Sequence, residues 1–466
     1  MSNPRLEQVA LPDFGAPTVE PTIPAATYAA RIEAARTRMI EAGLAALVIY
    51  ADREHSANLA YLTAFDPRFE EAMLILGKEG NPALLLGNEM YGYADLSPVP
   101  LRKIWFQSFS LMGQSRAKSD PLELIFRGEG IGTGSRVGVV GWKYFGADEC
   151  PDPARAIEAP AYIVDTLRMI TGPDGAVVNA GAIFMNPEDG LRVINEVDQL
   201  AAFEYAACQT STAVKNLLFG LEPGLSEYDA ARLLGINGMP QSCHLMLSSG
   251  ERARFGLPSP TSKVIERGER FTTAFGVWGA LNCRAGFVIE DEAELPASIG
   301  DYLDKLVFPY FAAIAEWYET IGIGVPGGRL NDIIQRRLGD PFFGIFLNPG
   351  HQIHFDEWVN SPIYAESEIA LRSGMAFQVD VIPATETDYF TTNIEDGIAL
   401  ADADLRTAFL SKYPEAWGRI QARRAFMADA LGIRLKEEVL PFSNIPAYLP
   451  PFLLRPDRVV TVRAAA

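Results

Sequence analysis

From Tyr28 the apolar side chains recur at helical spacing in YAARIEAARTRMIEAGL, with Ile32, Ala35, Met39 and Ile40 on one stripe and Gly43 as the stop. AALVIYA then reads as a short buried strand. AMLILG and ALLLG, separated by KEGNP, read as strand, turn and strand, and RVGVVG as another strand. DPLELIFRGEG before it and DPARAIEA after it read as helices. This alternation predicts an α/β domain over 27–185 with buried strands.

A long helix is predicted from about Asn195 (NEVDQLAAFEYAACQTSTAVKNLLFG). A second follows in EPGLSEYDAARLLG, with Pro223-Gly224 as the turn and Ser226 leading the helix. After Pro240 the texture turns to strands: CHLMLSSG, RFTTAFGVWGA and NCRAGFVIED. A helical block over 299–322 contains Pro309, which should kink or split it. Then come a short helix (LNDIIQRRLG), a Gly/His-rich segment, and the strands MAFQVDVIPA and NIEDGIALAD. The domain boundary falls in NPEDGLRV, so 186–466 reads as a second, α+β domain. Residues 1–26, Pro-rich and aperiodic, read as an extended arm over the surface, partly ordered at best.

Composition narrows the function classes. Lys+Arg 40 against Asp+Glu 59 leaves a net charge of −19, which disfavours nucleic acid and anionic membrane as partners. Hydrophobic residues make up 48%, ordinary for a globular chain. Cys150, Cys208, Cys243 and Cys283 are far apart and form no C-x-x-C pair, so a zinc ribbon is not expected. The N-terminus lacks a basic start followed by an apolar run, and no stretch reaches the roughly 20 apolar residues of a membrane span. The expectation is a cytoplasmic protein.

The order of these segments resembles the creatinase/aminopeptidase P/prolidase family, whose catalytic domain has the pita-bread fold. RIEAARTRMIEAGLAALVIY followed by NLAYLTAF is similar to that family's opening helix, strand and "N-x-x-YLTGF" turn. INEVDQLAAFEYAACQTSTAV is similar to its linker helix and LEPGLSEYDAA to its "PG-x-TE-x-E" turn. SGMAFQVDV resembles "GMVFTIEP" and NIEDGIAL resembles "RIEDTVLV". The likeness spans about 28–405. It implies an α/β N-terminal creatinase-like domain followed by an α+β pita-bread domain, a small-molecule substrate and a homodimer.

Peptide-cleaving members of that family hold two metal ions with two Asp, one His and two Glu, because hard oxygen ligands must be shared between two cations. Carried over residue by residue, the first Asp falls on Ala274, and the second, about eleven residues on, falls on Ala285. The His corresponds to His351, the first Glu to Asp380 and the second to Glu395. Two ligands are thus replaced by alanine and one is shortened. The positions of two further family histidines are taken by Leu257 and Trp358. A dinuclear centre is not expected. The reading assigns no cofactor and leaves room for a single, weakly held divalent cation.

His351 and His354, spaced i, i+3, could join Asp380 and Glu395 in a pocket of two imidazoles and two carboxylates, with protons moved by the histidines. The alternative is a hydrogen-bonded turn histidine without chemistry. Arg252, Arg254 and Arg284 lie on segments that line the family's cleft. Arg284 could pair with Asp380 and Glu395 or with a substrate carboxylate. Arg53, His55 and Arg68 flank the NLAYLTAF turn, which in creatinase-like dimers supplies an Arg to the partner's cleft. Trp278, Phe287, Trp358 and Tyr389 could wall a pocket, although such residues more often belong to a core. Cys283 beside Arg284 is a weaker candidate nucleophile, and GEGIGTGSRVG a poor phosphate loop, since it precedes a strand.

The leading expectation is a metal-independent, creatinase-like hydrolase or lyase acting on a C–N bond of a small amino-acid-like, guanidino or amide substrate. The competing expectations are a non-catalytic binding paralogue and a true Xaa-Pro metallopeptidase.

Overall fold

The computed structural model describes residues 3–463. The chain divides into two compact units, one of residues 23–193 and the other of residues 3–22 together with 194–463. It opens with strand β1 (Arg5–Gln8), which pairs antiparallel with β15 (Arg458–Thr461) near the other end of the chain. The segment read as a loosely ordered arm is therefore pinned at its start. Val9 donates its N–H to Asp457, and Glu7 accepts from Thr461 and Arg463.

The 23–193 unit is built on a six-stranded mixed sheet of β2 (Ala46–Ala51), β3 (Ala72–Gly77), β4 (Ala83–Leu86), β5 (Arg102–Trp105), β6 (Arg136–Val140) and β7 (Ala176–Asn179). The spatial order is β5-β4-β3-β2-β6-β7. The strands β2, β3 and β4 are apolar on both faces, as expected where helices cover a sheet on both sides. The stripe that begins at Tyr28 forms the helix Ala25–Glu41, and it buries Ile32, Ala35 and Met39. One expected helix is absent. DPARAIEA makes only a 3-10 turn at Pro153–Arg155, and the helix forms later, over Ala161–Thr171. Pro160 at its N-cap supplies the start, since proline needs no hydrogen-bond acceptor there.

In the second unit the helix Val197–Gly220 precedes the helix Glu227–Leu233, which begins in a capping box between Ser226 and Asp229. The main sheet contains β8 (Met246–Ser249), β9 (Arg270–Val277), β10 (Ala280–Phe287), β11 (His351–Gln352), β12 (Ala376–Asp380) and β13 (Asn393–Leu400), with β14 (Val439–Pro441) added on β13. Its order is β11-β12-β13-β10-β9-β8, antiparallel throughout. Pro309 follows a π-helical turn at Leu303–Val307 and stands in the first turn of the helix Phe308–Thr320, so the block is continuous but locally rewound. The helices Ala403–Lys412 and Pro414–Phe426 follow β13.

Candidate functional site

Directly paired residues on adjacent strands point to the same face of a sheet. The register places Met246, Ala274, Cys283, Glu395 and Asp380 in one row across β8, β9, β10, β13 and β12. His351 pairs with Gln378, two residues before Asp380, and so joins the same face. Three sequence candidates meet there. One donor atom from each of His351, Asp380 and Glu395 lies within 4.8 Å of the others. His351 Nε2 is 3.9 Å from Asp380 Oδ2 and 3.8 Å from Glu395 Oε1. All three residues are buried.

A fourth member comes from the loop after β11. Glu357 Oε1 lies 3.1 Å from His351 Nε2, and its carboxyl is within hydrogen-bonding reach of Glu395. Glu357 was not a sequence candidate. The only signal for it was an acidic side chain six residues past the turn histidine, at no position that the resemblance marks. Trp358 stacks on the His351 ring with centroids 4.1 Å apart, fixing the imidazole plane.

The electrostatics follow from three carboxyls around one imidazole. Burial pushes the His351 imidazole down, but Glu357, Glu395 and Asp380 outweigh it and hold it well above its usual value. Burial, reinforced by Asp380, drives Glu395 well above the carboxylate range. Burial also raises Asp380 to about 6, against the pull of His351. Glu357 moves down, because His351 more than offsets its burial. Asp380 Oδ1 and Glu395 Oε1 are buried and, among the described residues, have no hydrogen-bond partner. Such oxygens are costly unless a proton or a cation satisfies them.

The remaining candidates stand elsewhere, each for a local reason. His354 is buried edge-on to Phe203 and Phe355, and its Nδ1 accepts the Phe355 N–H, so it is not the second imidazole of the cluster. Arg284 faces the opposite side of the sheet, because its neighbour Cys283 occupies the site row. Its guanidinium pairs with both Asp396 oxygens at 2.9 and 3.0 Å and donates to the carbonyls of Tyr448 and Ile445. It touches only the backbone oxygen of Glu395. Burial still pushes Asp396 up despite that partner.

Ala285 also proves to be one row away from the expected place. Val277 pairs with Ala280, so β9 and β10 are joined by a two-residue turn, Trp278-Gly279, with Gly279 at φ +94°. This tight hairpin sets Cys283 opposite Ala274, whereas a count of eleven residues lands on Ala285. The surroundings of Cys283 disfavour a thiolate. Burial and the Glu395 and Asp380 charges push its thiol well up, and its sulfur sits 3.0 Å from the Asn393 amide nitrogen.

Arg252 is bound to the buried Glu227 at 2.6 Å and to Ser259 and Thr261, contacts that tie down its loop. Arg254 lies over the Phe255 ring. Tyr389 packs on Phe342 and Lys305 and donates to Asp301, while Phe287 packs on Tyr302 and Phe390 in the core. Trp278 stacks on Phe355, whose ring touches His354, so this tryptophan belongs to the aromatic wall of the histidine loop. At the position of a family histidine, Leu257 is exposed, but its carbonyl lies 2.8 Å from Nε2 of His244, a histidine that sequence spacing did not point to. In the other unit Arg68 is held by Asp66, Arg53 reaches the Phe69 carbonyl, and His55 pairs with Asp52 and stacks on Trp142.

No helix among the described residues is long and apolar enough to cross a membrane. No protein-family model and no curated protein matches the chain. Solved structures do. The dipeptidase PepE of Mycobacterium ulcerans matches with a TM-score of 0.60 and 19% identity, over 81% of this chain and 94% of that one. A recombinant prolidase from Thermococcus sibiricus gives 0.63 at 17% identity, over 80% and 95%. An X-Pro aminopeptidase from Thermotoga maritima gives 0.59 at 15% identity, over 80% and 95%. The chain therefore has the pita-bread fold that these structures share.

Proposed function

We propose that this protein hydrolyses an amide-type C–N bond in a small peptide-like or amino-acid-like substrate, using one divalent cation rather than two. The observation that carries the reading is the His351–Asp380–Glu395 group with its two unsatisfied buried oxygens. The similar structures are those of a dipeptidase, a prolidase and an X-Pro aminopeptidase, which supports the reaction class. The donor set suits one ion: an imidazole nitrogen and two carboxylates on one side, with Ala274 and Cys283 offering no hard ligand on the other. A divalent ion held there supplies Lewis-acid activation. The chain's own part is to hold the donors in place. The β12–β13 register fixes the two carboxylates, and Trp358 fixes the imidazole.

One observation favours a metal-free second reading, in which a creatinase-like hydrolase uses His351 as a proton donor to the leaving nitrogen. The three carboxyls crowd that imidazole and hold it well above its usual value, the direction a proton donor needs. The two readings separate by elemental analysis and turnover of Xaa-Pro dipeptides, N-acyl amino acids and guanidino acids before and after chelation. One ion per chain, with activity lost on chelation and in His351→Ala, is expected. Full activity in the metal-free protein would shift the assignment to the second reading. Two ions per chain would refute the single-ion centre, and failure of the metal-loaded protein on every substrate would count against hydrolysis.

A further inference from the structure

We infer that Glu357 is a fourth ligand to the cation, a carboxylate supplied by the loop after β11 in place of the acids that the β9–β10 hairpin lacks. The inference rests on the one-cation reading above and deepens it. Metal–ligand bonds to nitrogen and oxygen are about 2.1 Å long. Two ligand atoms on one ion are therefore about 3.0 Å apart in an octahedral arrangement and about 3.4 Å apart in a tetrahedral one, by simple trigonometry on that bond length. The distances from His351 Nε2 to Glu357, Glu395 and Asp380 are 3.1, 3.8 and 3.9 Å. His351, Asp380 and Glu395 already form a group with donor atoms within 4.8 Å of one another, and Glu357, beside the same Nε2, completes the set by turning its carboxylate toward them.

The direction of the imidazole agrees. Nε2 has three carboxylate oxygens within 4 Å, yet makes no well-aligned hydrogen bond to any of them among the described residues. It points between them, as a donor to a shared centre would. Glu395 Oε1, 3.8 Å from Nε2, is buried and unpartnered among the described residues, and so is the second oxygen of Asp380, Oδ1. Glu357 differs from these two in being about a quarter exposed, on a loop rather than a strand. Its partial exposure leaves it more room for side-chain rotation than the buried carboxylates of Asp380 and Glu395 have. A set of one imidazole and three carboxylates is hard and oxygen-rich, and it suits Mn²⁺ or Co²⁺ better than thiophilic ions.

The competing role for Glu357 is a plain counter-ion to the His351 imidazolium. Calorimetric titration of the metal-free full chain with Mn²⁺ alone, and the visible spectrum of its Co²⁺ form, distinguish the two. As a ligand, Glu357→Gln should weaken Mn²⁺ by at least about 100-fold and alter the Co²⁺ bands, with Glu357→Asp in between. As a counter-ion, Glu357→Gln would leave Mn²⁺ affinity unchanged or raise it, and that result overturns the inference while leaving the one-cation reading intact. Wild-type protein that binds neither ion defeats the reading itself. Retention of binding in His351→Ala would place the ion elsewhere and overturn both. Should Glu357→Gln fail to fold by circular dichroism, the Glu357→Asp titration decides on the same criterion.

Discussion

Two clusters of buried charge occupy opposite faces of one sheet, and their members are adjacent in sequence. On one face Asp396 takes hydrogen bonds from Arg284, Asn282, Ser443 and the Ala447 N–H. On the other face Glu395, Asp380 and Glu357 crowd a single imidazole, and two carboxyl oxygens lack partners among the described residues. The first cluster is closed: its donors and acceptors answer one another, so it can only hold the β10 and β13 strands to the segment around Ser443–Tyr448. The second is open, with more negative charge than its own cation balances. A closed cluster stabilises a fold, whereas an open one is retained at a cost in stability and points to a ligand.

The comparison can be tested by unequal losses. The largest effect is expected from Arg284→Met, which strands the Asp396 charge. Urea denaturation should show a loss of roughly 3–5 kcal/mol. A loss under about 1 kcal/mol would mean that the closed cluster is not structural. Next, Asp380→Asn and Glu395→Gln should leave metal-free stability within about 1 kcal/mol of wild type, or raise it, since each removes a poorly satisfied buried carboxyl. The same variants should abolish measurable Mn²⁺ binding in calorimetry. A large loss of stability without loss of binding would reverse the assignment of the two clusters.

A smaller effect is expected from pH. Asp380 is raised from 3.8 to about 6, so the folded chain binds more protons than the unfolded chain between those values. Its contribution is full below about pH 3.8 and is lost as pH rises through about 6. Glu395 and His351 are raised too and act in the same direction, the coupled groups titrating together. Glu204, held down by Arg423 and Arg419 against its burial, acts oppositely and loses its contribution in acid. Thermal melts of the metal-free protein should thus show Asp380→Asn falling less steeply than wild type from pH 4 to 7. Parallel curves would argue that Asp380 is ionised throughout. The smallest effect is expected from Arg68→Ala. Its partly exposed pair with Asp66 should contribute no more than about 1 kcal/mol to chemical stability.

Much was determined by the sequence alone. Helical periodicity marked the helix at 25–41, Ser226 marked the start of the helix Glu227–Leu233, and apolar runs marked β2, β3, β4 and β6 in one unit and β8, β9, β10, β12 and β13 in the other, because these signals depend on neighbours within a few residues. His351, Asp380 and Glu395 were legible as candidates from the turn and strand motifs around them. What only the tertiary structure decided was pairing. A two-residue turn instead of a longer one moved the site row from Ala285 to Cys283, and strand parity turned Arg284 away from Glu395 toward Asp396. A loop carried Glu357 to the imidazole with no motif to announce it. Register and loop closure arise from contacts between residues far apart in the chain, and local pattern carries no record of them.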